Sequence, residues 1–86
     1  PDPLSLLGKL PEKGEWTYPL SRRVFTLADV KGKIDTITAR CERKDQKLKY
    51  QDNQDWALPA SWGKCVLDFE GKEGTTFTLY ESNPQQ

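Results

Sequence analysis

Apolar residues that recur at every second position constrain this chain more than any other feature. Ile37, Ala39 and Cys41 fall on one side of a run whose other side carries Thr36, Thr38, Arg40 and Glu42, and Cys65, Leu67 and Phe69 repeat the pattern. A period of two is that of a half-buried β-strand. Each run includes one of the only two cysteines in the chain, on its apolar side. Both thiols are therefore expected to point into one core, close enough for a disulfide across adjacent strands or sheets.

Shorter runs extend the pattern. Trp16 and Tyr18 alternate before Pro19, which restricts that piece to an edge or a strand end. Val24, Phe25 and Leu27 form a second segment. Ile34 is out of step with Ile37, so a bulge is expected near Asp35 and Thr36, or else a strand that begins on the opposite face. A polar turn from Arg43 to Gln46 leads into Leu48 and Tyr50, the expected hairpin partner of the Cys41 strand. Gly71 to Gly74 reads as the turn of a final hairpin returning through Phe77 and Leu79. From Gln51 to Gly63 the chain reads as a long connection carrying Trp56, Leu58, Pro59 and Trp62.

The segment 1–15 differs, with three of the six prolines and two of the six glycines. Asp2 is placed to cap a helical turn from Pro3, and Leu4, Leu7 and Leu10 follow at i, i+3 spacing until Gly8 and Pro11 end it. It is expected to be a linker or docking segment whose leucines rest on the domain's own sheet, or else a partner-binding piece. The division that follows is 1–15 linker or docking segment, 16–82 a single β-rich domain, and 83–86 a tail. The fold expected is all-β, a small, mostly antiparallel sandwich or rolled sheet of five to six strands with one disulfide and a short N-terminal helical turn.

Eighty-six residues make one domain, and a chain of this size hides only about 60–65% of its unfolded surface. Closing a loop of about 25 residues with a disulfide would stabilise it by roughly 3.5 kcal/mol in the chain-entropy model. That contribution needs an oxidising compartment, so a periplasmic or extracellular setting is expected. A chain opening Pro-Asp-Pro reads as a processed product or an excised piece of a larger envelope or secreted protein.

Thirteen basic and thirteen acidic residues cancel, which removes the charge that drives nucleic-acid or anionic-membrane binding. No apolar run approaches the ~20 residues of a membrane span. Histidine is absent, excluding Ser-His-Asp and Cys-His catalysis within this chain. Two isolated cysteines without a C-x-x-C spacing fit a structural staple rather than a redox or zinc site. No phosphate loop or dinucleotide motif is present, and no cofactor or metal is expected. The basic residues Arg22, Arg23, Arg40, Arg43, Lys44, Lys47 and Lys49 are interleaved with Glu42, Asp45 and Asp52, as on a solvated strand face guarded against edge pairing.

The candidate binding residues are Asp55, Trp56, Leu58 and Trp62. Two tryptophans six positions apart suit a plug for the end of the core, a protein contact, or a platform for sugar rings. Asp52 and Asp55 beside Trp56 are the one pair that glycoside-type acid chemistry would use. The function expected is a non-catalytic extracytoplasmic accessory module that contacts a protein partner or a neighbouring domain. The alternatives are a carbohydrate-binding module using Trp56 and Trp62 and, less favoured, a small acid/base hydrolase.

Overall fold

The computed structural model describes residues 4–84. Within them eight strands run in the order β1 (Leu4–Lys9), β2 (Glu15–Pro19), β3 (Val24–Lys31), β4 (Ile34–Cys41), β5 (Asp45–Leu48), β6 (Asp55–Ala57), β7 (Cys65–Gly71) and β8 (Thr76–Ser82), with one 3₁₀ turn at Ala60–Trp62. They form two four-stranded sheets, β1-β8-β3-β6 and β2-β7-β4-β5, in which every pairing is antiparallel. Only the β4–β5 connection stays within a sheet. Every other connection crosses from one sheet to the other, which gives the strand order of a jelly roll.

Four expectations change. The apolar spacing of Leu4, Leu7 and Leu10 does not make a helical turn. Leu4–Lys9 is strand β1, registered residue for residue on β8 from Leu4↔Glu81 to Lys9↔Thr76; Asp2 and Pro3 lie outside the described residues. The strands number eight rather than five or six, because the sequence of β1 reads as a turn and β6 is only three residues long. Finally, Gly71 to Gly74 does not close a hairpin: β7 and β8 belong to different sheets, and this turn carries the chain over the end of the sandwich. The turn between β4 and β5 is also shorter than expected, with Asp45 already paired to Arg40.

The core follows the alternation. Phe25 and Leu27 on β3 and Phe77 and Leu79 on β8 face Ile37 and Ala39 on β4 and Leu67 and Phe69 on β7, all buried. Phe69 and Phe77 stack between the sheets at 5.2 Å, and Trp16 closes over them at 5.4 and 5.7 Å. Ile34 is buried despite its parity because the β4–β7 register shifts between Ile34 and Thr36. The bulge moves the strand by one residue and so returns Ile34 to the inner face.

Three connections lie side by side at one end and bond to one another. Leu10 N–H donates to Thr75 O at 2.9 Å, Gly71 N–H to Gly14 O at 2.8 Å, and Lys72 N–H to Lys33 O at 2.9 Å. The buried Thr75 hydroxyl accepts from Lys33 N–H at 2.9 Å and donates to Lys33 O at 3.2 Å. Gly14 and Gly32 have φ of +70° and +124°, and a Cβ on either would come within about 2.2 Å of Gly71 O or Thr75 Oγ1. Both positions therefore require glycine.

Candidate functional site

At the opposite end, Cys41 and Cys65 face each other on the last rung of the β4–β7 ladder and are joined by a disulfide with Cα atoms 4.0 Å apart. Beyond this rung the chain leaves as two loops, Glu42–Lys44 and Pro59–Lys64, that are laced together. Arg43 N–H donates to Trp62 O at 3.0 Å, Glu42 N–H to Lys64 O at 3.1 Å, and Lys64 N–H to Glu42 Oε1 at 2.8 Å. Arg43 Nε adds a bond to Ser61 O at 2.7 Å.

Arg23 holds the same loop from the other sheet. Its guanidinium donates to Leu58 O at 3.1 Å, to Gly63 O at 2.7 Å, and to Pro59 O. A planar fork of fixed donors is suited to reaching several carbonyls at once. Arg23 is thus a loop staple.

The four residues singled out from sequence do not converge on one surface. Trp56 stands opposite Phe25 on the inner face of its sheet and is half-buried against the core. Leu58 is buried. Trp62, at the end of the 3₁₀ turn, is also half-buried against the core, with Lys44 Nζ 5.7 Å from its ring centroid. Asp55 is exposed and accepts a hydrogen bond from the Thr26 hydroxyl. Asp52 is exposed and engaged by the Tyr50 hydroxyl at 3.0 Å. Burial, together with this hydrogen bond, pushes the Tyr50 phenol up to about 12.

Two polar clusters were not legible in sequence. Glu81 is fully buried between the sheets, because its position on β8 puts it on the inner face beside Phe25. Its carboxylate accepts from Ser21 N–H at 2.7 Å, Arg22 N–H at 3.1 Å and the Tyr18 hydroxyl, pinning the β2–β3 connection. Burial and this acceptor push the Tyr18 phenol up to about 12. On the outer face of the other sheet, Arg40 grips Asp68 with two bonds of 2.9 and 3.2 Å, and Thr17 adds a third at 2.9 Å. The Arg40 hydrogen bonds hold Asp68 below the usual carboxylate range. A shallow depression of about 290 Å³ lies here between Glu15, Arg40 and Glu70, and Asp68, the carboxylate at its centre, is already engaged by its neighbours.

The unsatisfied surface is elsewhere. Among the described residues the exposed large apolar side chains are Leu4 (44%), Leu6 (38%), Leu7 (83%) and Tyr80 (39%), all on β1 and its neighbour β8. Leu7 points to the outer face and borders an open groove of about 420 Å³ with Lys9, Lys31, Asp29 and Thr78. β1 is the outermost strand of its sheet, and an unguarded apolar edge strand is a template for pairing with another chain. The signal was the Leu-Ser-Leu alternation at positions 4 to 6, masked by the i, i+3 spacing of the same leucines.

Among the described residues, no three or more Cys, Asp or Glu side chains are grouped to hold a metal ion, and no helix is long and apolar enough to cross a membrane. Comparison with protein-family models, with curated proteins and with solved structures finds no match for this chain.

Proposed function

We propose that this domain is a non-catalytic protein-interaction module that engages its partner through strand β1. The observation that carries this is that Leu4, Leu6, Leu7 and Tyr80 stay exposed along the open β1 margin, Leu7 and Tyr80 on its outer face and Leu4 and Leu6 on its inner one, while the carbonyls of the Trp62 loop are taken up by Arg23 and Arg43. Half-burial of Trp56 and Trp62 leaves little flat aromatic area for a sugar. The jelly-roll topology itself names no function, since function resides in sites grafted on folds. A disulfide in a small all-β domain is compatible with an extracellular or periplasmic location, and there the module would serve a larger envelope or secreted protein.

The test is site-specific photo-crosslinking in the parent protein. A photoreactive phenylalanine at position 7 is expected to trap protein, and the same group at position 47 on β5 is not. Equal labelling at both positions, or none at position 7, would refute the assignment.

A further inference from the structure

We propose that the occupant of this edge is β1 of a second copy, paired antiparallel about a two-fold axis at Leu7; the inference rests on β1 being the interaction surface. The described residues present four edge strands, and three are guarded. β2 ends in Pro19 and begins with Glu15, β5 carries Asp45 and Lys47, and β6 is three residues long. Proline, charge and shortness are the usual devices against edge pairing. β1 has six residues with Lys9 as its one charge.

The register follows from which backbone groups are free. Leu10 directs its N–H to Thr75 O at 2.9 Å and its C=O to Gly74 N–H at 3.0 Å, both on the β8 side. Direction alternates along a strand, so Gly8, Leu6 and Leu4 also turn toward β8. Ser5, Leu7 and Lys9 turn their N–H and C=O groups to the open side. A two-fold axis normal to the sheet pairs residues of equal parity. Centred on Leu7, it sets Leu7 against Leu7 and Ser5 against Lys9, so all three outward-turned residues exchange both bonds with the second copy. Centred on Leu6, it engages Ser5 and Leu7 but sets Lys9 opposite position 3, a proline with no N–H to donate.

Side chains favour the same centre. The most exposed leucine of the chain meets its own copy on the outer face. On the inner face Leu6 lies opposite Gly8, whose missing Cβ is replaced by the Phe77 ring 2.5 Å from where it would stand, so a large side chain meets a position with none. The two Lys9 groups lie four residues apart along the paired strands, roughly 14 Å at about 3.4 Å per residue, beyond the ~8 Å screening length. The chain carries no net charge, so two copies approach without mutual repulsion.

Sedimentation equilibrium of the oxidised domain from micromolar to millimolar concentration tests the pairing, with Leu7→Pro as the discriminating variant. The Leu7 N–H faces away from β8, so proline removes a bond to the second copy and none within the sheet. The expected result is a reversible dimer whose dissociation constant rises at least tenfold in Leu7→Pro, with unchanged far-ultraviolet circular dichroism. If Leu7→Pro fails to fold, Leu7→Lys, which sets two ammonium groups face to face, carries the same expectation. A Leu7→Cys variant with a short bis-thiol reagent should crosslink to dimer, and Lys47→Cys should not. A monomer at millimolar concentration, or a dimer indifferent to both Leu7 substitutions, overturns the pairing. In that event, crosslinking of position 7 to a different protein leaves the interaction surface standing.

Discussion

Replacing Glu81 with leucine should remove a large share of the stability of the domain, although it exchanges a buried charge for an apolar side chain. Removing a buried ion pair altogether is often neutral or favourable, because the cost of stripping water from the charges disappears with them. Glu81 differs because two of its three partners are the backbone N–H groups of Ser21 and Arg22, which no substitution can delete. The third is the Tyr18 hydroxyl. Each orphaned, part-buried donor costs about 1–3 kcal/mol, and burying a leucine returns about 2 kcal/mol. For three donors less one leucine the net loss is on the order of 1–7 kcal/mol. A domain of this length has roughly 4–13 kcal/mol in all, at 0.05–0.15 kcal/mol per residue.

The assay is urea unfolding of the oxidised domain, followed by tryptophan emission and circular dichroism. With a urea slope of ~1 kcal/mol/M, the midpoint should fall by at least about 1 M at unchanged slope. Glu81→Gln retains one acceptor oxygen for the two amides, and its NH₂ group can donate to a turned Tyr18 hydroxyl. It should cost about 1–2 kcal/mol, the difference between charge-assisted and neutral bonds. Tyr18→Phe made in both backgrounds should be costly beside Glu81 and nearly neutral once Glu81→Leu has removed the acceptor. Stability of Glu81→Leu within ~1 kcal/mol of the parent would show that the Ser21 and Arg22 amides find other partners, and the reasoning would fail.

Further expectations concern the loop staple, the disulfide and alkaline pH. Arg23→Lys keeps the charge but loses the fork, so amide exchange across Leu58–Lys64 should accelerate at least tenfold while β7 and β8 stay protected; uniform acceleration would mean that Arg23 supports the whole fold instead. The Cys41→Ala, Cys65→Ala pair should unfold about 3 kcal/mol more easily in the same urea assay; a change below ~1 kcal/mol would mean that the ladder alone fixes this end. Tyr18 and Tyr50 both have phenols pushed up to about 12 from 10.0, so the folded state holds their protons more tightly than the unfolded state. Their stabilisation is complete below pH 10 and is lost as pH rises through 12, on the order of 1–2 kcal/mol each once solvent screening is allowed for. Thermal unfolding at rising pH should show this, and Tyr18→Phe should remove part of the alkaline dependence.

The core was legible in sequence wherever alternation was long enough to set parity. Ile37, Ala39, Leu67 and Phe69 face inward as their spacing requires, and the misfit of Ile34 announced its bulge. Sheet membership was not legible, because a glycine-rich turn of four residues fits a hairpin and a sheet-crossing connection equally well. The turn from Gly71 to Gly74 takes the second course, since β8 finds partners in β1 and β3 on the other sheet. The roles of Glu81 and Arg23 were hidden for a related reason. Each depends on partners at least 35 positions away, and nothing local distinguishes a buried carboxylate from a solvated one.

The segment Leu4–Lys9 is the most informative discrepancy. Its leucines fit a helical stripe at Leu4, Leu7 and Leu10 and a strand face at Leu4 and Leu6. A helix there would be stopped within two turns by Gly8 and Pro11, well short of the ~12 residues an isolated helix needs to repay its nucleation cost. The strand gains six registered partners on β8, and tertiary pairing therefore wins. The consequence is that the leucines no longer share a side. Leu10 enters the core, while Leu7 is turned outward and left 83% exposed. The helical stripe would have hidden all three together. Conflict between local pattern and final structure tends to concentrate at functional sites, which is a reason to seek one on β1, the edge strand that, among the described residues, proline, charge and shortness leave unguarded.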